Sequence, residues 1–328
     1  REPGLLRAFP PRAALKGPRL MCRAGAVQAE GTTMSEPKLL SHTPSNTRAL
    51  AAAVAAAREA GALMKTHLRR AKQVNESHQH DIKLELDVRC QKLITRALAK
   101  VFPSIPVLGE EGIDAASEKS AARWVVDPID GTVNFAYGIP HAAVSIALQV
   151  RSEDGFRNEV GVVFDPFMDD LWTAIRGKPA RLNGRITRVS TRARLDESIV
   201  SLGFAKSQDS LKAAQSDFLE LTHRVRKIRI MGSAALALTY VACGRFDAYV
   251  EAGVRLWDIA AGGLIVECAG GSFVTQPLSG EHRYALIASN GLIHDQIPHA
   301  RTAATLSKPP GPKGDSKART RSKSRSQS

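Results

Sequence analysis

Apolar positions recur along the chain with two different periods. Leu50, Val54, Ala57, Met64 and Leu68 fall on one face of a helix, and Ser45, Asn46 and Thr47 stand ready to cap it. A second helix carries Leu86, Cys90, Leu93, Ala97 and Val101 and stops near Pro103. The period then shortens. Trp124, Val125 and Val126 read as a buried strand, and Val144, Ile146, Leu148 and Val150 alternate as a half-buried one. Val160 to Phe164 forms a third, and Asn183-Gly184 marks a hairpin. Strands that follow one another in this way predict an antiparallel sheet. After about residue 196 the order becomes strand (Ile199 to Leu202), helix (210–224), strand (Ile228 to Ile230), helix (Ala234 to Cys243), strand (Phe246 to Val250) and helix (Asp258 to Cys268). That is α/β alternation, so the chain reads as α+β, with one half at 45–195 and another at 196–300.

Acidic residues sit where these elements end. In WVVDPIDGTVNF (124–135) an apolar strand runs into Asp127 and Asp130, and Pro128 fixes its own backbone and biases Asp127 toward an extended one. Asp127, the Ile129 carbonyl and Asp130 can then converge, and oxygen donors at one point suit a hard cation such as Mg2+. A helix opening at Gly131 and Thr132 would place free N–H groups beside that point, where an anion is favoured and Gly131 lets it approach. LGEEG upstream offers Glu110 and Glu111, and LWDIAAGG downstream offers Asp258 at the start of an Ala-rich helix. Taken singly these are an acidic loop and a helix cap; taken together they predict one site. Signatures of other enzyme classes, GxxxxGK[ST], GxSxG and HExxH, do not occur.

The strings GEE, DPIDGTVNF and WDIAAG, in this order, resemble the inositol monophosphatase family of Mg2+-dependent, lithium-sensitive phosphatases. GIPHAAVSIAL (138–148), GVVFDP (161–166), LNG (182–184) and MGSAALALTYVACGRFDAYVEAG (231–253) extend the resemblance over residues 45–300. It implies a layered αβαβα sandwich, a homodimer and two or three Mg2+ ions per site. It assigns Glu110, Asp127 and the Ile129 carbonyl to one ion, and Asp127, Asp130 and Asp258 to another, with Asp127 as the bridge. Thr132 would orient the attacking water and Asp87 would accept its proton, while Glu251 and the Gly232–Ala234 backbone would bind substrate beside Asp130, Gly131 and Asp258. The implied substrate is inositol monophosphate or a similar small polyol phosphate; histidinol phosphate, fructose 1,6-bisphosphate and 3'-phosphoadenosine 5'-phosphate would suit the same site. His141 and Trp257 read as structural, and Arg255 as a phosphate contact or a surface residue. One stretch departs from the family pattern of a Lys followed by Asp-Leu-Val-Thr-x-x-Asp. Here Leu84 stands for the Thr and Glu76 for the Lys, with Lys72 or Lys83 as possible replacements for the lost cation.

Charge changes the picture mainly at the ends. The chain of 328 residues carries a net +14, of which residues 1–33 hold +4 and 301–328 hold +7, leaving +3 between. Residues 1–44 are expected to be a disordered extension, with Met34 as the expected start. Residues 301–328 have almost nothing to bury and are expected to be a solvated basic tail, through which nucleic acid could be bound in an RNA-associated scaffold role. Cys22, Cys90, Cys243 and Cys268 form no CxxC pair, and no apolar run is long enough to span a membrane. A reducing, cytoplasmic setting is the expectation.

Overall fold

The computed structural model describes residues 45–298 apart from 71, 73, 79–80, 114 and 205–207; the readings for residues 1–44 and 301–328, and for Cys22, lie outside them. Helices α1 (Asn46–His67) and α2 (Glu85–Val101) open the fold, joined through the hairpin of β1 (Val74–His78) and β2 (Asp81–Leu84). An eight-stranded sheet follows: β3 (Val107–Gly109), β4 (Gly112–Ile113), β5 (Ala122–Asp130), β6 (Ala143–Ser152), β7 (Gly155–Asp165), β8 (Asp170–Ile175), β9 (Arg181–Leu182) and β10 (Arg185–Ile186), with the short α3 (Thr132–Ala136) after β5. Its order is β10-β9-β8-β7-β6-β5-β3-β4, and all neighbours are antiparallel except β3 and β5.

The rest of the chain forms β11 (Ile199–Leu202), α4 (Gln208–Thr222), β12 (Lys227–Arg229), α5 (Ala234–Ala242), β13 (Ala248–Arg255), α6 (Leu256–Cys268), β14 (Ser272–Pro277) and β15 (Arg283–Ser289). These strands make a five-stranded sheet in the order β12-β11-β13-β15-β14, parallel at β12, β11 and β13 and antiparallel beyond. Burial sorts the elements into layers. Trp124, Val126, Ile146, Leu148 and Val162 pack on α1 and α2 from one face of the large sheet. Val125, Ala147 and Val163 point the other way, into a core shared with α5, α6, Tyr249 and Leu286. Val200, Val250 and Ile287 cover the far face of the small sheet with Leu221 of α4. The result is an αβαβα sandwich with α5 and α6 as its central layer.

Several expectations are corrected by this packing. The buried face of α1 is Ala49, Ala53, Ala56, Ala57, Ala60 and Met64, with Leu50 and Val54 only half-buried at its margin. Small side chains let α1 lie close on the sheet, and Gly61 packs against the Phe164 ring. Ser45 stands at the N-cap, but its side chain makes no capping bond. In α2 the buried face is Leu86, Cys90, Ile94 and Leu98, with Leu93, Ala97 and Val101 at its margin. Strand β6 is buried on both faces rather than one, because helices cover both sides of its sheet. Strand β5 does not stop at the acids; it continues to Asp130 across an irregularity between Asp127 and Asp130. The hairpin at Asn183-Gly184 forms as expected, both residues having positive φ (49° and 78°). Among the described residues no helix is long and apolar enough to cross a membrane.

Candidate active site

The break in β5 pairing turns Asp127 and Asp130 toward the same side. Asp127 is 2% exposed, and its Oδ1 accepts from the Ile129 amide at 3.0 Å. Asp130 takes the N-terminus of α5: Ser233 Oγ donates to it, with Ala235 N at 2.9 Å and Ala234 N at 3.2 Å. Asp258, third residue of α6, accepts from the Arg255 amide at 2.7 Å. Ligand oxygens of Asp127, Asp130 and Asp258 all lie within 4.8 Å of one another.

Glu110 stands in the turn between β3 and β4, its amide bonded to the Val126 carbonyl at 3.2 Å. It lies outside the group of three, but its charge is felt by Asp127 and Asp258. Burial first, then the neighbouring carboxylates, hold Asp127 and Asp258 well above the ordinary carboxyl range. Asp130 is raised less, to about 6, because burial is offset by its bonds from Ser233, Ala235 and Ala234. None of these three acids has an Arg or Lys within salt-bridge distance among the described residues. Crowded buried oxygens without a counter-charge fit a hard divalent cation.

Gly131 caps α3 with φ +93°, and a Cβ there would come within 2.9 Å of the His141 carbonyl and 3.2 Å of the Gly232 carbonyl. Only glycine suits both demands. Thr132 opens α3; its hydroxyl donates to the Ile129 carbonyl at 2.8 Å and lies 3.5 Å from Asp87 Oδ1. Asp87 is buried, not surface-solvated: it is 2% exposed, and its Oδ2 accepts from the Leu84 amide at 2.7 Å. Leu84 itself is fully buried in the core beneath α2. Lys72 is held at the end of α1, bonded to the Leu68 and Arg70 carbonyls and lying 5.2 Å from the Phe135 ring centre. The side chains of Glu76 and Lys83 lie outside the described residues.

On the other side of the cluster Glu251 is half-buried, takes a hydrogen bond from the Tyr249 hydroxyl and is raised to about 7, by burial and then by the charge of Asp130. Gly232 and Ala234 flank Ser233 at the start of α5. Arg255 is tied to the Glu281 carbonyl at 2.6 Å. His141 meets Tyr240 edge-on at 6.0 Å, and Trp257 is 8% exposed in the central core.

Sequence reasoning passed over four residues that build this site. Ser233 carried a signal, being a hydroxyl residue before an apolar Ala-rich run. Asn134 donates to the His141 and Met231 carbonyls at 3.0 and 2.8 Å, clamping α3 to the loop before α5. Gln91 accepts from the Glu111 amide at 2.9 Å and so fixes the acidic turn, and Tyr249 holds Glu251. Nothing local marks these last three, because their partners lie on other elements or are set by strand pairing.

Comparison with known proteins places the fold and the family. The model of the inositol monophosphatase family matches residues 45–308. Nus factor SuhB of Pseudomonas aeruginosa is 40% identical over 239 residues, covering 71% of this chain and 86% of the relative. Nus factor SuhB of Escherichia coli is 37% identical over 237 residues, with 71% and 86% covered. Among solved structures, the extragenic suppressor protein suhB of Bartonella henselae is similar with TM-score 0.70 and 34% identity, covering 77% of this chain and 97% of that one. The Thermotoga maritima IMPase gives 0.66 and 35%, with 77% and 95% covered. A family match over most of the chain, joined to an αβαβα sandwich with buried carboxylates between its sheets, means that this chain belongs to the inositol monophosphatase family of metal-dependent phosphatases.

Proposed function

We propose that the chain is a Mg2+-dependent phosphomonoesterase acting on inositol monophosphate or a similar small polyol phosphate. The observation that carries this reading is the convergence of Asp127, Asp130 and Asp258, with Thr132 on the turn that follows Asp130 and within reach of Asp87 at the start of α2. Asp127, Asp130 and Asp258, with Glu110 and the Ile129 carbonyl, would hold the ions. When bound, Mg2+ supplies positive charge for the phosphoryl oxygens, whose negative charge spreads in the transition state.

This chain's own groups do the rest. The Thr132 hydroxyl has two acceptors in reach, the Ile129 carbonyl and Asp87 Oδ1. Once the carbonyl is engaged elsewhere, the hydroxyl donates to Asp87 and its oxygen accepts from water, aiming that water at phosphorus and passing its proton to the Asp87 carboxylate. Gly131, with no side chain, lets the His141 and Gly232 carbonyls pack against the start of α3. Glu251 accepts from substrate hydroxyls, beside the Gly232–Ala234 backbone.

Asp127→Asn is expected to abolish metal-dependent phosphate release while the protein stays folded by circular dichroism; retained turnover would remove the assignment. A panel of inositol phosphates, histidinol phosphate, fructose 1,6-bisphosphate and 3'-phosphoadenosine 5'-phosphate, with Mg2+ and with added Li+, identifies the substrate. A second reading, favoured by the net +7 of residues 301–328, is a role with nucleic acid through that segment. RNA binding titrated against salt, in the full chain and in a variant with those Lys and Arg residues changed to Gln, tests it: equal affinity removes the tail from that role.

A further inference from the structure

Tyr249 and Glu251 are two apart on β13, so their side chains leave the same face of the strand, the one turned toward α5 and α6. Tyr249 is 2% exposed, and its hydroxyl donates to Glu251 Oε2. Among the described residues the other carboxylate oxygen, Oε1, accepts no hydrogen bond. Gly203 sits against the same group from the neighbouring strand. It follows β11 and donates its amide to the Val250 carbonyl at 3.0 Å. A Cβ placed on Gly203 would overlap Glu251 Oε2 and Cδ and come within 3.1 Å of Cγ. The carboxylate is therefore seated between a phenol and a bare Cα, with one oxygen already bonded and one left over. Burial and the nearby Glu251 charge hold the Tyr249 hydroxyl in its protonated, donating form.

We propose that Tyr249 and Gly203 are positioning residues that set substrate specificity, holding Glu251 so that Oε1 alone receives a hydroxyl donated by the substrate. Such a site selects phosphate esters of polyols over phosphate esters that lack hydroxyls, since an acceptor that the bound ester removes from water and leaves unpaired penalises the latter. Without Tyr249 the carboxylate can rotate and offer either oxygen; with a methyl group at Gly203 it cannot occupy its seat. The proposal rests on the reading of Glu251 as the group that binds substrate hydroxyls.

The test measures kcat and KM with Mg2+ for inositol monophosphate and for phenyl phosphate in the wild type, Glu251→Gln, Tyr249→Phe and Gly203→Ala, with thermal unfolding as the check on folding. The quantity read is the preference, kcat/KM for the first ester over kcat/KM for the second. Positioning by Tyr249 and Gly203 lowers that preference roughly ten-fold in all three variants, chiefly through KM for the polyol ester. A merely structural role would weaken both esters equally and leave the preference unmoved, which overturns the proposal. If Glu251→Gln lowers the preference but Tyr249→Phe leaves it, positioning is wrong and the Glu251 reading stands. If Glu251→Gln leaves it, the Glu251 reading falls and takes the proposal with it. Should Gly203→Ala fail to fold, Tyr249→Phe decides alone.

Discussion

Asp87 and Asp258 occupy the third positions of α2 and α6 and bond back to the amides of Leu84 and Arg255, while Asp130 takes the first amides of α5. Three helix N-termini thus supply donors and positive dipole ends to the acids of the site. Their pull offsets part of the repulsion among these crowded carboxylates. It also fixes each group in one rotamer, as oxygen donors to a metal or a proton relay require. Thr132 is the least constrained member, since its hydroxyl can choose between the Ile129 carbonyl and Asp87. Thr132→Ala is therefore expected to cost about 10²- to 10⁴-fold in kcat with little loss of stability, and Thr132→Ser to retain most of the rate. Steady-state kinetics on the three proteins checks this, and an active Thr132→Ala would exclude the hydroxyl from the relay. Asp127 and Asp130 were legible as candidates for one site because they stand at the end of an apolar run, and Asp258 because it opens an Ala-rich helix. Tyr249 and Gly203 were not: one reads as an ordinary strand residue and the other as a loop glycine until β11 and β13 pair.

Helix α6 carries the largest structural duty of any single element. It brings Asp258 at its N-terminal turn, packs against the large sheet on one side and reaches the small sheet on the other. Close approach is achieved with small residues. Gly161 of β7 lies under the Ala261 backbone, Gly262 under Leu238 of α5, and Gly263 under the Phe273 ring of β14. A methyl group at Gly161 would meet the Ala261 carbonyl oxygen at 2.8 Å, and backbone cannot swing aside as a side chain can. Gly161→Ala is expected to destabilise the protein by about 1–3 kcal/mol and to weaken Mg2+ binding by displacing α6. Denaturant unfolding and metal titration read the two effects, and unchanged values would show that the layer has slack. At this scale the sequence signals were good for element type and weaker for buried faces. The boundaries read for β11 and α5 agree with the structure to within a residue. The stripe read on α1 agrees only at Ala57 and Met64, because an alanine face pressed on a sheet carries a weak hydrophobic signal although it is fully buried.

Across the whole molecule the site lies where β5 of the large sheet, β13 of the small sheet and the N-termini of α5 and α6 meet, so its acids are shielded by both sheets. That position sets a pH dependence. Asp130 at about 6, Glu251 at about 7, and the raised Asp127 and Asp258 all stand above the ordinary carboxyl range near 4. A carboxyl raised by folding contributes stability that is complete below its unfolded pKa and lost as pH rises through the folded value. For Asp130 and Glu251 the metal-free protein should lose this contribution between about pH 4 and 7. Mg2+ should restore stability most strongly at the alkaline side, where the carboxylates are free to bind it. At a hundred-fold excess over Kd the gain is about 2.7 kcal/mol, roughly 5–10 °C in Tm for a domain of this size. Thermal unfolding at pH 5 and pH 8, with Mg2+ and with EDTA, provides the measurement; an equal Mg2+ shift at both pH values would argue that the ion binds elsewhere.

The sequence by itself determined the local chemistry: which apolar runs end in acids, that Gly131 admits a left-handed turn, that Asn183-Gly184 closes a hairpin, and that residues 199–268 alternate strand and helix. Those properties depend on residues within a few positions of one another, so they survive in a one-dimensional reading. Only the tertiary structure decided that β6 is covered on both faces, that Asp130 caps α5 through Ser233, that Asp87 is buried within reach of Thr132, and that Glu251 lies between Tyr249 and Gly203. Each is a contact whose partner is chosen by strand order and layer stacking. The free energy that fixes it is shared across the sandwich and written in no single segment.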